Sequence, residues 1–210
     1  MARRRTRWML AGWLTVLWLP SVMGTCAGAE KQDDAPKSRI AGRDLSAWTR
    51  ELSSPSRTKR LRAILTLPSF GVSAVKPLAE ALRHADPAVL YWAASGLGDL
   101  AHKSSRTRAV RDRLEQLSGH RSVGVQLAAS YALCRLGQSG KGVPILSRGL
   151  EHPHRGVACA AADFLARIGP DAREARPALQ KAARHKDYHV RGAAAEALRR
   201  IDRATTGGKP

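Results

Sequence analysis

The stretch DYHVRGAAAEALRRID, residues Asp187–Asp202, places its apolar side chains on one face of a helix. Counted from Val190, these side chains fall at offsets 0, +3, +4, +7, +8 and +11. This spacing follows the turn of an α-helix, whereas a strand would alternate apolar and polar residues. The small residues at +3, +4 and +7 allow neighbouring helices to approach closely. The stretch therefore predicts a packing helix and contains no nucleophile beside a base.

The same pattern recurs upstream, starting at Val89, Val125 and Val157, so that the four valines are 36, 32 and 33 residues apart. A shorter apolar stripe precedes each copy. Three of these leading stripes have Pro in the first turn, where the missing N–H costs nothing. The unit is thus two helices in about 33 residues, a period typical of a solenoid. Below, a repeat offset is counted from the valine of each copy.

A fifth, weaker copy comes first in the chain. DLSAWTREL, residues 44–52, predicts its leading helix, and SRTKRLRAILTLPSFG, residues 56–71, predicts the second. Lys59, Arg62 and Thr66 occupy positions that are apolar or small in the other copies. Because the first repeat has no neighbour on its outer side, polar residues there indicate a cap.

The pattern V-R-x-x-A-A-x-A-L-x-x-[IL]-G resembles the HEAT-like repeats first named for phycobilisome lyases. Arg60 and Arg191 match the Arg after the first apolar position, whereas Leu90, Gln126 and Ala158 depart from it. The closing Gly is matched in three copies, by Gly71, Gly137 and Gly169. The resemblance covers about residues 42–202. It implies an all-α fold, a short right-handed α-solenoid of about five HEAT-like helical pairs.

The two ends of the chain predict other segments. A start with Arg3, Arg4, Arg5 and Arg7, a 15-residue apolar run and the small residues 27–29 indicate a signal peptide over residues 1–29, cleaved after Ala29. The apolar run is short for a membrane span, so no stable span is expected after cleavage, although an uncleaved anchor remains an alternative. We expect a flexible linker at 30–42, the repeat domain at 43–202 and a disordered tail at 203–210.

Charge points to an anionic partner. The chain carries a formal net charge of +19, which favours acidic proteins, acidic polysaccharides, membrane surfaces or nucleic acid. Stacking of the repeats aligns three arginines at repeat offset +10, and we call them the arginine ladder: Arg135, Arg167 and Arg200. One interpretation is that they face water and complement helix dipoles. The other is that they bind an anion or a partner. Asp99 at the same offset shortens the ladder.

Four histidines lie five residues before the repeat valines and are therefore interpreted as turn residues between the paired helices: His84, His120, His152 and His185. His152 with His154, and His185 with His189, have spacings that a metal can use, but neither pair has further ligands in sequence. GQSGKG, residues 137–142, lacks the strand and the Ser or Thr of a phosphate loop and is interpreted as a connector. No catalytic, cofactor-binding or metal-binding residue is predicted.

Aromatic residues are few, which argues against sugar and single-stranded nucleic acid sites. Trp48, Trp92 and Phe164 are expected in the core. Three tyrosines fall off the core stripe and are expected near the surface: Tyr91, Tyr131 and Tyr188. Cys134 and Cys159 lie seven residues apart in register, about 10.5 Å along a helix, so we expect two free, largely buried thiols.

The sequence favours a non-enzymatic exported scaffold, in the periplasm or outside the cell, that binds a protein partner through the second helices and the turns beside them. The partner is expected to be acidic, an anionic ligand is a second candidate, and nucleic acid is disfavoured by export. The opening residues 40–52 and the second repeat also look like HEAT modules of planctomycete-type secreted proteins. The alternatives are an accessory module of a secreted hydrolase that binds acidic or sulfated ligands, and a nucleic-acid-binding or DNA-glycosylase-like HEAT protein.

Overall fold

The computed structural model describes residues 38–101 and 110–206, with side chains described up to residue 203. The predicted signal peptide at 1–29 and most of the predicted linker lie outside the described residues. Within the described ranges the chain is helical, and its β structure is limited to an isolated bridge between Ile40 and Arg43.

The described residues contain ten α-helices, which form five consecutive pairs. In each pair a first helix is followed, after a short turn, by a second helix. The pairs are α1 Leu45–Glu51 with α2 Arg57–Thr66, α3 Val75–Ala81 with α4 Pro87–Leu100, α5 Arg111–Ser118 with α6 Val123–Arg135, α7 Ser139–Gly149 with α8 Arg155–Ile168, and α9 Arg176–Ala182 with α10 Tyr188–Thr206. The predicted all-α solenoid of five helical pairs is confirmed.

The second helices pack against one another in chain order, with α4 against α6, α6 against α8 and α8 against α10. Leu133 and Leu165, both at repeat offset +8, are buried between these layers as predicted. Leu198 at the same offset is only partly buried, which corrects the prediction of an equivalent inward position. The described chain places no further repeat beyond α10 to cover it.

Glycines end three second-helix segments where the backbone must turn back. Gly71, Gly137 and Gly169 have φ of 62°, 84° and 73°, a left-handed conformation that side chains disfavour. These are the three closing glycines predicted from the sequence. After Gly137 the GQSGKG segment leads directly into α7, so it connects two repeats as expected. In the second and fifth repeats a 3₁₀ segment leads into the first helix, at Leu67–Ala74 and Gly169–Ala175.

The first repeat closes the N-terminal end of the array. Lys59 and Arg62 are exposed on α2, as expected for a cap. Trp48 is buried, and the guanidinium groups of Arg43 and Arg62 lie 5.3 Å and 5.7 Å from its ring centroid. Its indole N–H donates to the carbonyl of Ile40 at 3.2 Å.

The boundaries of the repeat domain at residues 43 and 202 stay predictions. Within the described residues, Ile40 packs against the core and pairs with Arg43. At the other end α10 continues to Thr206. The described helices include none that is both long enough and apolar enough to cross a membrane.

Candidate partner-binding surface

The histidines at repeat offset −5 close the turns between paired helices, as predicted. In each case the imidazole Nδ1 accepts a hydrogen bond from the backbone N–H two residues later. These bonds measure 2.9 Å from Asp86 to His84, 3.0 Å from Ser122 to His120, 3.1 Å from His154 to His152 and 3.0 Å from Asp187 to His185. An accepting Nδ1 carries no proton, so this geometry requires the imidazole tautomer protonated at Nε2.

A second set of bonds closes the same turns from the other side. At repeat offset +1, Arg60 donates to the carbonyl of Ser54 at 2.9 Å and Arg191 donates to that of His185 at 2.9 Å. Gln126, which departs from the family pattern, donates to the carbonyl of His120 at 2.7 Å. The amide therefore replaces the guanidinium at this carbonyl. We refer to these histidine and Arg or Gln bonds together as the turn clasp.

The turns of the five described repeats lie side by side along one edge of the array. This turn edge consists of residues 53–58, 83–88, 119–124, 151–156 and 184–189. The first and second turns are in contact, since Arg57 pairs with Asp86 at 3.3 Å. A Cβ built on Gly124 would lie 3.7 Å from the ring of Tyr91, which belongs to the preceding repeat.

The structure places the arginine ladder among partners. Arg135 donates to the carbonyl of Arg167 at 3.2 Å, so the first two members do lie side by side. Arg200 pairs with Glu196 at 2.8 Å. Arg167 pairs with Asp99 of α4, two repeats away in the chain, and its side chain is 27% exposed. The ladder is therefore no row of free cations, and its predicted binding of an anion stays a prediction.

Arg167 lies at the centre of a cluster that bridges α4 and α8 across α6. Its guanidinium carbon lies 4.6 Å from the ring centroid of Tyr131 and 5.6 Å from that of Phe164. The rings of Tyr131 and Phe164 stack with centroids 4.8 Å apart, and the Tyr131 hydroxyl bonds to Asp99 at 2.6 Å. Burial and this bond raise the pKa of Tyr131 well above its usual range. We call these four residues, Asp99, Tyr131, Phe164 and Arg167, the bridging cluster.

The prediction that Tyr131 lies near the surface is wrong, because its side chain is 2% exposed. Arg167 and Phe164 cover its ring, and Gly98 of α4 makes room for it: a Cβ there would lie 2.5 Å from the Tyr131 Cε1 atom. Tyr91 is partly buried and lies 5.9 Å from Phe164 by ring centroids. Tyr188 is exposed, as predicted.

Trp92 is exposed by 39%, so the prediction that it packs in the core is wrong. The later repeats place alanine at the same offset, at positions 128, 160 and 193. An indole does not fit a space that takes a methyl group, and the ring turns outward. It packs edge-on against Tyr91, with centroids 4.9 Å apart and planes at 88°. The Trp in an alanine position is the sequence signal that could have identified this surface.

A model of HEAT repeats matches residues 45–115 and 110–199. The chain belongs to the HEAT-repeat family. Its fold is similar to the complex of CpcE and CpcF of phycocyanin lyase from Nostoc sp. PCC7120, with 22% identity, a TM-score of 0.54 and coverage of 85% of this chain and 71% of that one. An engineered protein matches with 23% identity, a TM-score of 0.51 and coverage of 76% and 81%. No curated protein matches.

Cys134 and Cys159 of this HEAT-repeat protein are free thiols, as predicted. Cys134 is buried, whereas Cys159 is only partly buried, so the expectation of two largely buried thiols holds for the first alone. Burial raises the pKa of Cys134 to about 12 and also raises the pKa of Cys159. Within residues 38–101 and 110–206 no group of His, Cys, Asp or Glu is arranged to hold a metal ion.

Proposed function

We propose that this HEAT-repeat protein is a non-enzymatic scaffold that binds a protein partner through the exposed face of its second helices. The HEAT and armadillo-like repeat fold is typical of protein-binding scaffolds. For this chain the proposal rests on the exposed indole of Trp92, which packs edge-on against the ring of Tyr91. The later repeats have only alanine at the same repeat offset.

An exposed, oriented Trp is well suited to anchor a protein partner. Trp, Tyr and Arg are enriched among the residues that dominate binding energy, and the aromatic side chains bury much surface with few rotatable bonds. The ring of Tyr91 already restricts the indole of Trp92, so less side-chain entropy is lost when a partner covers it. Leu65, exposed by 49% on the neighbouring helix α2, extends the apolar character of this face.

Trp92→Ala provides the test. The full chain, immobilised, should retain a specific protein from extracts of its native host, and Trp92→Ala should weaken that retention at least tenfold, corresponding to about 1.4 kcal/mol or more. Val72→Ala removes an exposed apolar side chain from the 3₁₀ segment Leu67–Ala74, outside the second helices and the turn edge, and serves as the control. Equal retention by the wild type and Trp92→Ala would refute the role of Trp92, and loss in both variants would point to a different or less specific surface.

The proposal includes export of the chain to the periplasm or the outside of the cell. It is supported by the basic start, the apolar run and the small residues 27–29. N-terminal sequencing of the protein from its native host should begin at Glu30. A mature chain that begins at Met1 in the membrane fraction would indicate the uncleaved anchor instead, and one that begins at Met1 in the cytoplasm would refute export.

A further inference from the structure

The turn edge carries exposed cations whose side chains form no ion pair or hydrogen bond within the described residues. They are Arg83, Arg121, Arg155, Arg184 and Lys186. Arg155 lies near enough to Asp187 for an electrostatic interaction with its carboxylate. These cations occupy four successive turns, with one in each of the second, third and fourth repeats and two in the fifth. They fall at three repeat offsets, −6, −4 and −2, so they do not form a ladder at a single offset.

The carboxylates of the same edge are already engaged. Asp86 accepts from the backbone N–H of Ala88 and pairs with Arg57 and Arg60 at 3.3 Å each. Glu151 pairs with Lys181 at 2.6 Å. Asp187 accepts from the backbone N–H groups of His189 and Val190 at 2.9 Å and 3.3 Å.

The turn edge contains six Lys and Arg residues and three carboxylates, so a row of excess positive charge remains along the turns. The second helices also begin at this edge, and their dipoles add to the positive potential there. Arginine makes up most of the row, and its planar guanidinium matches a carboxylate with two parallel hydrogen bonds.

We infer that the turn edge binds an extended acidic segment of polypeptide, at a surface separate from Trp92. Packed helices lie about 8–10 Å apart, so the row offers roughly one cation in each such interval. A peptide in the polyproline II conformation has three residues per turn and advances about 3.1 Å per residue, so that every third side chain points the same way at intervals of about 9 Å. A segment in this conformation with a carboxylate at every third position thus pairs with the successive cations without bending.

The spacing and composition of the edge favour a polypeptide over a nucleic acid. Duplex DNA carries one charge per about 1.7 Å of its axis, a much denser array than one cation per repeat. Single strands are held largely by stacking on aromatic rings, and of Phe, Trp and Tyr the turn edge contains Tyr188 alone. Asp86 and Asp187 would also repel a closely spaced row of phosphates.

The test measures binding of labelled peptides to the full chain by fluorescence anisotropy at low salt. One peptide has glutamate at every third position, with Gly and Ser between, and a second has the same composition with its glutamates contiguous. The double variant Arg121→Ala/Arg155→Ala should bind the spaced peptide about three- to tenfold more weakly than the wild type. The control, Arg148→Ala/Arg173→Ala, removes the same charge from exposed positions on α7 and on the 3₁₀ segment before α9, and should change affinity less than twofold.

Each other outcome overturns the inference. Equal weakening by the two double variants would show a diffuse positive field and no defined surface. Tighter binding of the peptide with contiguous glutamates would refute the match between the spacing of the carboxylates and the spacing of the turns. A single-stranded oligonucleotide or a heparin fragment that binds more tightly than the spaced peptide, and depends on Arg121 and Arg155, would assign the edge to that polyanion.

Unchanged thermal melts of both double variants would confirm that folding is intact.

Discussion

Arg167 and Asp99 are 68 residues apart in the chain and form an ion pair across α6. In a solenoid, each repeat ordinarily contacts only its immediate neighbours. Here the second and fourth repeats also share a charged and aromatic contact, the bridging cluster. Side chains of the bridging cluster therefore cover this face of α6. Through them the third repeat is linked to both the second and the fourth repeat.

The pair Asp99–Arg167 should contribute to stability, in contrast to the exposed charge expected from the sequence. In a double-mutant cycle with Asp99→Ala and Arg167→Ala, urea unfolding should show a coupling free energy of about 0.5–3 kcal/mol. The cation–π contacts of Arg167 with Tyr131 and Phe164 make Arg167→Ala the more costly single change. Additive single effects would show that the two side chains do not interact in solution.

Leu165→Ala should lower the free energy of unfolding by about 2–5 kcal/mol, because the side chain is fully buried between two neighbouring repeats. Leu198→Ala is the matched control, since this side chain at the same repeat offset is only partly buried. Its cost should be clearly smaller. Urea unfolding followed by circular dichroism measures both, and a reversed order would contradict the assigned register.

Gln126→Ala should cost about 1 kcal/mol, because it leaves the carbonyl of His120 without its side-chain donor. Gln126→Arg should retain most of the stability, since Arg191 makes the equivalent bond in the fifth repeat. Thermal melts of the two variants would separate the contribution of the hydrogen bond to the His120 carbonyl from that of side-chain packing. If Gln126→Arg were as damaging as Gln126→Ala, packing and not the turn clasp would explain the loss.

The stability contributed by Asp86 should depend on pH. The backbone N–H of Ala88, together with Arg60 and Arg57, lowers the pKa of the Asp86 carboxyl below its usual range. A lowered pKa gives a contribution that is complete above the unfolded value of about 3.9 and is lost as pH falls through the folded value. Asp86→Asn should therefore destabilise the protein by about 0.5–1 kcal/mol near neutral pH, and the difference should shrink towards about pH 3.

Urea unfolding across this pH range measures the effect of Asp86→Asn. Glu174→Gln serves as the control, because Glu174 is exposed and makes no ion pair within the described residues. Its difference from the wild type should stay small at each pH. An Asp86→Asn difference that is constant with pH would show that the charge of Asp86 does not stabilise the fold.

The two cysteines of the repeat domain should differ in reactivity. Burial raises the pKa of Cys134 to about 12, so the thiol remains protonated at about pH 8, and alkylating agents react with the thiolate. Cys159 is partly exposed and should be modified slowly in the native protein, whereas Cys134 should react only after unfolding. Peptide mapping after iodoacetamide treatment distinguishes them, and rapid native labelling of Cys134 would refute its burial.

The helical pairs could be predicted from the sequence because the apolar period is local and repeats along the chain. The turn histidines were predictable for the same reason. The surroundings of Tyr131 were not, because its burial results from side chains of α4 and α8 that meet above α6. The spacing of apolar residues does not encode this contact, which joins residues two repeats apart. Trp92 shows the complementary error, since an inward offset does not guarantee space for a large ring.

The turn clasp has an evolutionary consequence, because each clasp joins residues no more than six positions apart. A duplicated helical pair would bring its own turn closure with it and need no compensating change elsewhere. The pair of Asp99 and Arg167 imposes the opposite constraint, since an extra repeat inserted between α4 and α8 would separate the two. Lineages of this protein should therefore vary in repeat number at the ends of the array and keep the segment from α4 to α8 at constant length.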